Sequence, residues 1–153
     1  MAMYYEDFVI GEVIKHPVTR TVTETDNLMF TALTMNVQPL HLDTEFAAQS
    51  MYGQRIVNSI FTLGLVTGIP VQETTLGTTL GNLGFSDITF PKPVFIGDTL
   101  RVETEAYETR ISEKRPTTGI VSIEHRGINQ RDEVVCIVRR AALMMRRPTE
   151  DLT

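Results

Sequence analysis

The most constraining feature of the chain is a helical segment without a polar face, from about Asn58 to Gly68. Its large apolar residues fall on every side of a helix: Ile60, Phe61, Leu63, Leu65, Val66 and Ile69. Such a helix must be covered by other structure, because none of its faces is suited to water. Gly64 and Gly68 are small, so we expect strands to approach the helix closely there. Pro70 should end it.

From about residue 78 onward, apolar and polar residues alternate, which is typical of strands with one side in water. The alternation is clear at 100–106 and 121–126, and the run 134–145 is mostly apolar. The polar segments 113–119 and 129–132 have the composition of hairpin connections. With a first strand expected within residues 8–23, these patterns predict an α+β fold in which an antiparallel sheet curls around the apolar helix.

A second helical pattern precedes the apolar helix. Thr25 or Asp26 can cap a helix that runs to Met35. Its apolar residues lie at helical spacing, and we expect them to pack in the core: Leu28, Met29, Ala32 and Leu33.

The bend after this helix holds the best candidate for chemistry. Pro39 fixes its own φ and disfavours a helical conformation at Gln38, so the chain should turn there before a short helix from Thr44 to near Gly53. His41 follows the turn, and a histidine can accept and return a proton near neutral pH. The alternative is a histidine that only caps the next helix or occupies a turn.

Four segments, in order along nearly the whole chain, resemble the MaoC-like dehydratases and R-specific enoyl-CoA hydratases. They are Gln38-Pro39-Leu40-His41, 43–48, 53–59 and 90–100. The resemblance implies the hot-dog fold, a curled antiparallel sheet around a long central helix. It also implies a hydro-lyase that adds or removes water across the α,β double bond of a short acyl-CoA. Coenzyme A would then be part of the substrate, and no separate cofactor is expected.

Two positions depart from the family pattern. Asn36 stands where the family carries an aspartate, and Asn58-Ser59 stands where many relatives carry His-Gly. An asparagine can hold a water molecule but cannot accept a proton from it. The resemblance therefore implies a hydratase with one titratable group. The alternatives are an acyl-CoA thioesterase on the same fold, which Asn58 and Ser59 disfavour because they offer no carboxylate, and a non-catalytic acyl-thioester-binding protein.

The resemblance also implies roles for the residues around the motif. His41 would be the catalytic base and Asn36 would orient the water, while Gln38 would contribute to the site from within the motif. Backbone N–H groups where the apolar helix begins would stabilise the enolate oxygen, at the positive end of the helix dipole. They belong to Val57, Asn58 and Ser59.

The substrate implied by the resemblance is a short acyl-CoA that is branched or dicarboxylic, of the mesaconyl or methylmalyl type. Arg55 would bind a distal carboxylate if it faces the pocket. Candidate partners for the phosphates of coenzyme A are the cations Lys92, Lys114, Arg115, Arg146 and Arg147, although ordinary surface charge is the simpler interpretation of each.

Two other histidines are weaker candidates for a role in the site. His16 precedes a proline in an early strand or turn, and we expect it at the surface. The side on which His125 lies depends on strand register, and a structural role is the simpler interpretation. We expect no metal site, because the sequence has neither a cluster of histidine and cysteine nor two histidines four residues apart.

Length and composition limit the remaining possibilities. The 153 residues favour one domain at 1–147, followed by a flexible tail at 148–153. A net charge of −5 argues against a nucleic-acid partner. The single cysteine, Cys136, lies in an apolar run and fits a reducing cytoplasm. No segment has the pattern of a signal peptide or a membrane span.

Self-association is expected from the predicted sheet. An open sheet leaves an edge strand, and an apolar edge strand promotes aggregation unless another chain covers it. We therefore expect a homodimer or a hexamer of three dimers.

Overall fold

The computed structural model describes residues 2–148, and the predicted tail lies outside them from residue 149 onward. A short 3₁₀ helix (Tyr5–Asp7) comes first, followed by two short strands, β1 (Val13–Lys15) and β2 (Arg20–Thr21). Five helices follow: α1 (Glu24–Leu33), α2 (Pro39–Leu42), α3 (Thr44–Ala48), α4 (Ser59–Gly68) and α5 (Val71–Thr74). The chain then forms four long strands: β3 (Thr79–Thr89), β4 (Thr99–Ile111), β5 (Thr118–Ile128) and β6 (Val134–Met145).

All six strands form one antiparallel sheet, in the order β1-β4-β5-β6-β3, with β2 pairing with the start of β4. The predicted hairpins β4–β5 and β5–β6 are confirmed. β3 is an edge strand, and its register with β6 shifts at three places along its length. Four of its apolar side chains are exposed: Leu80, Leu83, Phe85 and Ile88.

Helix α1 begins two residues earlier than the sequence suggested. The Thr23 hydroxyl accepts a hydrogen bond from the Asp26 N–H, and the Asp26 carboxylate accepts one from the Thr23 N–H. This capping box satisfies two N–H groups at once, so it defines the start more strongly than Thr25 would. The predicted break after the helix is confirmed, since Gln38 is extended and Pro39 is the first residue of α2.

The side of α1 that faces the core is the opposite of the one predicted. Its buried residues are Asn27 and Thr31, whereas Met29 is 57% exposed and Leu33 is 78% exposed. The prediction of a core-facing apolar stripe was therefore wrong. The inward positions are instead polar because they make hydrogen bonds to other segments, and this leaves an apolar surface on the outside of α1.

Helix α4 packs on the sheet through Val66, which is fully buried, but the sheet covers only one side of it in a single chain. Ile60, near its start, is 55% exposed. We expected strands to approach α4 closely at Gly64 and Gly68. This was wrong, because a Cβ added at either glycine would meet no atom within 4 Å. The glycine that permits the close approach is Gly127 on β5.

The Gly127→Ala variant should lose about 1–3 kcal/mol of unfolding free energy, the usual cost of overpacking a core. A Cβ at this position would lie 2.4 Å from Cγ2 of Val66, and a valine in a helix has little rotamer freedom to move away. Urea unfolding measures the loss. Gly81→Ala in β3 is the control, because its added Cβ meets nothing within 4 Å. Equal losses in both variants would contradict the proposed contact.

Candidate functional site

His41 lies in α2 with its ring held in one orientation. The Nδ1–H group donates to the carbonyl oxygen of Ile56, 2.9 Å away, and the residue is 9% exposed. The same segment is also held through its backbone, where the Ile56 N–H donates to the carbonyl of Leu40. Because the bond to Ile56 uses the proton on Nδ1, the other ring nitrogen, Nε2, is an acceptor. Within residues 2–148, Nε2 has no hydrogen-bond partner, so it is free to accept a proton.

Asn36 forms the turn that precedes α2. Its side-chain oxygen accepts a hydrogen bond from the Gln38 N–H at 3.1 Å, and no hydrogen bond joins its side chain to His41 among the described residues. The side-chain NH₂ remains available to a water molecule. Gln38 has an exposed side chain, and its contact with the site is through its carbonyl, which accepts the His41 N–H.

The N-terminus of α4 has fewer free donors than the sequence suggested. The Val57 N–H donates to the carbonyl of Val94 at 2.8 Å, and the Asn58 N–H donates to Oδ1 of Asn27 at 2.9 Å. The Asn58 side chain caps the helix by accepting the Ile60 N–H. Of the three predicted donors, only the Ser59 N–H lacks a partner within the described part of the chain. The candidate set of oxyanion donors therefore narrows to Ser59, at the positive end of the helix dipole.

Arg55 is already paired with a carboxylate. Its Nη2 lies 2.6 Å from Oε1 of Glu24, so it joins the start of α1 to the segment before α4. A distal substrate carboxylate would have to compete with Glu24 for it. Among the predicted phosphate-binding cations, Arg146 and Arg147 pair with Glu6 and Asp7.

A cavity of about 400 Å³ lies beside the start of α4. Its lining is mainly apolar and includes Ile56, Val57, Phe90 and Val94, with Ser59, Thr62 and Lys92 among the polar members. Ser59, whose N–H lacks a partner within the described residues, lines the cavity, and so does Ile56, whose carbonyl accepts the Nδ1–H of His41. His41 itself is not among the lining residues and is connected to the cavity through Ile56. The size and lining of the cavity suit a short acyl chain.

The two other histidines lie inside the molecule, and the prediction that His16 is at the surface was wrong. They belong to one hydrogen-bonded chain across the sheet: Glu73, His16, Thr104, His125 and Arg140. Arg140 Nε donates to His125 Nε2, so the proton of His125 is on Nδ1 and points to the Thr104 hydroxyl. That hydroxyl can donate to Nε2 of His16, whose Nδ1–H donates to Glu73. A single direction of donation thus satisfies every member, which indicates a structural role for both histidines.

The stability of the protein should fall as the pH drops below about 6.5, the ordinary pKa of histidine. Burial, with the nearby Arg140 and His16, holds the pKa of His125 well below that value. Between the lowered pKa and 6.5, the unfolded chain takes up a proton that the folded chain does not, so unfolding becomes easier. Above 6.5 the ring is neutral in both states and contributes no slope.

Urea unfolding between pH 7.5 and 5 tests this. The unfolding free energy should fall by up to about 1.4 kcal/mol per pH unit more in the wild type than in His125→Gln. Identical slopes would rule out His125 as the source.

Asn27 also belongs to the candidate site, although the sequence did not predict it. It is fully buried in α1, and its side chain contacts both the His41 backbone and the start of α4. No local signal singles it out, because its partners lie 14 and 31 residues away. An asparagine on the same helical face as Thr31, opposite the apolar stripe, is the only hint that the sequence contains.

Two kinds of site are not found in the described residues. Nowhere in 2–148 do three His, Cys, Asp or Glu side chains group as a metal site requires. Within the same range, no helix combines the length and apolar character needed to cross a membrane.

Comparison with known proteins decides the family. The family model described as the MaoC like domain matches residues 7–129, which is most of the chain. The chain belongs to the MaoC-like family. A mesaconyl-CoA hydratase of Cereibacter sphaeroides is 32% identical to this MaoC-like chain over 146 residues, covering 95% of the chain and 42% of the relative. The chain therefore spans about two fifths of that relative's length.

Solved structures of other proteins superimpose on this fold. A MaoC-like dehydratase from Rhodospirillum rubrum superimposes with a TM-score of 0.84 at 27% identity, covering 97% of this chain and 100% of that one. A protein of Mycobacterium tuberculosis described as a double hot-dog fold superimposes with a TM-score of 0.86 at 20% identity, covering 99% of this chain and 47% of that one. The MaoC-like chain has the hot-dog fold, with one curled sheet and its central helix.

Proposed function

We propose that the chain is a hydro-lyase that adds or removes water across the α,β double bond of a short acyl-CoA. The observation that carries the proposal is the state of His41, whose Nδ1 is bound to the Ile56 carbonyl while Nε2 is free. Ile56, which accepts the hydrogen bond from this ring, and Ser59, whose N–H lacks a partner within residues 2–148, both line one cavity. The family and the hydratase relatives support the same reaction.

The proposed reaction needs only one titratable group. In hydration, Nε2 of His41 takes a proton from water, and the water oxygen forms a bond to Cβ. The electron pair of the double bond moves toward the thioester, and the resulting enolate oxygen is stabilised by the Ser59 N–H at the start of α4. The imidazolium then returns its proton to Cα. The amide of Asn36 orients the water but transfers no proton, because it cannot ionise at neutral pH.

The substrate class follows from the cavity and the relatives. A mainly apolar space of about 400 Å³ suits a short acyl group. One relative is named a mesaconyl-CoA hydratase and another a beta-methylmalyl-CoA dehydratase. We infer a short, branched or dicarboxylic acyl-CoA. Because Glu24 already binds Arg55, Lys92 at the cavity is the more available cation for a substrate carboxylate or phosphate.

An assay of crotonyl-CoA and mesaconyl-CoA tests the function. Loss of enoyl absorbance without release of free thiol is the expected result, and we expect faster turnover of mesaconyl-CoA. Release of thiol from either substrate would show a thioesterase instead. Binding of both thioesters without any turnover would support a non-catalytic acyl-thioester-binding protein.

Association of two copies is part of the proposal, as a homodimer or as a hexamer of three dimers. The edge strand β3, the outer face of α1 and Ile60 of α4 all leave apolar side chains exposed in one chain. Long hydrophobic edges of this kind are normally covered. Analytical ultracentrifugation should therefore give twice or six times the mass of one chain.

A cytoplasmic location, an absence of bound metal and coenzyme A as a part of the substrate remain predictions.

A further inference from the structure

Asn27 connects the two halves of the candidate site. The residue is fully buried, and its side-chain Nδ2 donates to the carbonyl oxygen of His41 at 3.0 Å. Its Oδ1 accepts the N–H of Asn58 at 2.9 Å. One amide side chain therefore contacts both the residue that carries the base and the residue directly before the free Ser59 N–H.

The helix that carries Asn27 is itself held in place. The Thr23 and Asp26 capping box defines its start, and the ion pair of Glu24 with Arg55 joins it to the segment before α4. In addition, the Thr31 hydroxyl donates to the Asn27 carbonyl, as part of the only buried face of α1. The capping box and the Thr31 bond stabilise α1 itself, the Glu24–Arg55 pair joins it to another segment, and the two hydrogen bonds of Asn27 join it to the site.

We propose that Asn27 is a positioning residue that sets the distance between Nε2 of His41 and the N–H of Ser59. The proposal rests on the proposed function, in which water and the enolate oxygen must lie between these two groups. A neutral amide supplies a donor to His41 and an acceptor to Asn58 from the same planar group, which an ionised carboxylate cannot do. A shift of either element by about 1 Å can reduce a rate by about 10²-fold, even when the residue replaced never touches the substrate.

Two variants separate the two bonds of Asn27. Asn27→Ala removes both and leaves the Asn58 N–H buried without an acceptor. Asn27→Asp keeps an acceptor for Asn58 but turns a carboxylate oxygen toward the His41 carbonyl, so it disturbs the base alone. In both variants we expect kcat on the preferred enoyl-CoA to fall about 10–100-fold, with KM changed by less than about threefold.

Asn129 offers a matched control in the same protein. It is also a buried asparagine, and its side chain bonds to the Arg131 N–H, the Glu133 N–H and the Glu133 carboxylate in the β5–β6 hairpin. Asn129→Ala and Asn129→Asp should destabilise the fold while leaving kcat within about twofold of the wild type. An equal loss of kcat in the Asn27 and Asn129 variants would reduce Asn27 to an ordinary structural residue and overturn the proposal.

A spectroscopic measurement tests the proposal without any turnover. In the wild type, the ¹⁵N NMR shifts of His41 should show the tautomer with the proton on Nδ1, as the bond to Ile56 requires. The signal is assigned through its absence in His41→Ala. We expect Asn27→Asp to lower the population of this tautomer and Asn129→Asp to leave it unchanged. An unchanged His41 tautomer in Asn27→Asp would overturn the proposal, whereas an inactive wild type with the expected NMR change would overturn only the proposed function.

Discussion

The His41→Ala variant should lose hydratase activity by about 10³-fold, within the range that general acid–base catalysis contributes. The proposed mechanism has no second group to take over the proton, because Asn36 is an amide and its oxygen is bound to the Gln38 N–H. The fold should survive, since the ring makes a single hydrogen bond within the described residues. Steady-state kinetics with crotonyl-CoA and mesaconyl-CoA measure the loss.

His41→Asn sharpens this test. An asparagine can still donate to the Ile56 carbonyl, so the variant keeps this hydrogen bond but cannot accept a proton. It should be as inactive as His41→Ala. Appreciable activity in His41→Asn would show that the ring acts only through its contact with Ile56 and not as a base.

The His125→Leu variant should lose about 3 kcal/mol or more of unfolding free energy, because leaving a buried charged donor without its acceptor costs more than the roughly 1–3 kcal/mol usual for a neutral group. Arg140 is 8% exposed, and the neutral ring of His125 accepts its Nε–H at 2.9 Å. Leucine has a similar volume but no acceptor, so the guanidinium would be left buried without this partner. Burial already lowers the pKa of Arg140, which shows how poorly the site solvates a charge. Urea unfolding at pH 7.5 gives the free energy.

Two further variants locate the cause of that loss. His125→Leu combined with Arg140→Leu should recover most of the stability, because the uncompensated charge is then gone. Arg139→Leu, at the neighbouring exposed position on β6, should cost less than about 1 kcal/mol, since its ion pair with Glu124 is at the surface. A double variant no more stable than His125→Leu would mean that lost packing, rather than charge, accounts for the effect.

The sequence predicted correctly those features that depend on residues close together in the chain. Pro39 was sufficient to predict the break after α1, because proline restricts its own φ and that of its neighbour regardless of tertiary structure. The apolar helix and the alternating strands likewise predicted the hot-dog fold. The family resemblance added the position of His41 within the site. These are features that depend on neighbours within a few residues.

The errors arose where distant partners were decisive. His16 was expected at the surface, yet it bonds to Glu73 and Thr104, which lie 57 and 88 residues away. The apolar face of α1 was expected in the core, yet Asn27 took that position because it bonds to residues of α2 and the start of α4. No periodicity contains this information, since a polar residue becomes favourable inside a protein only when its particular partners are present.

The sheet order has a consequence for synthesis on the ribosome. Within residues 2–148, β3 pairs with β6 alone, and β6 is the last of the six described strands in sequence order. The ribosome completes β3 at Thr89 and does not begin β6 until Val134, a delay on the order of seconds. During that interval the backbone N–H and C=O groups of β3 have no strand partner from β6, so a nascent chain, or one truncated before β6, is the form most exposed to mispairing and to capture by chaperones.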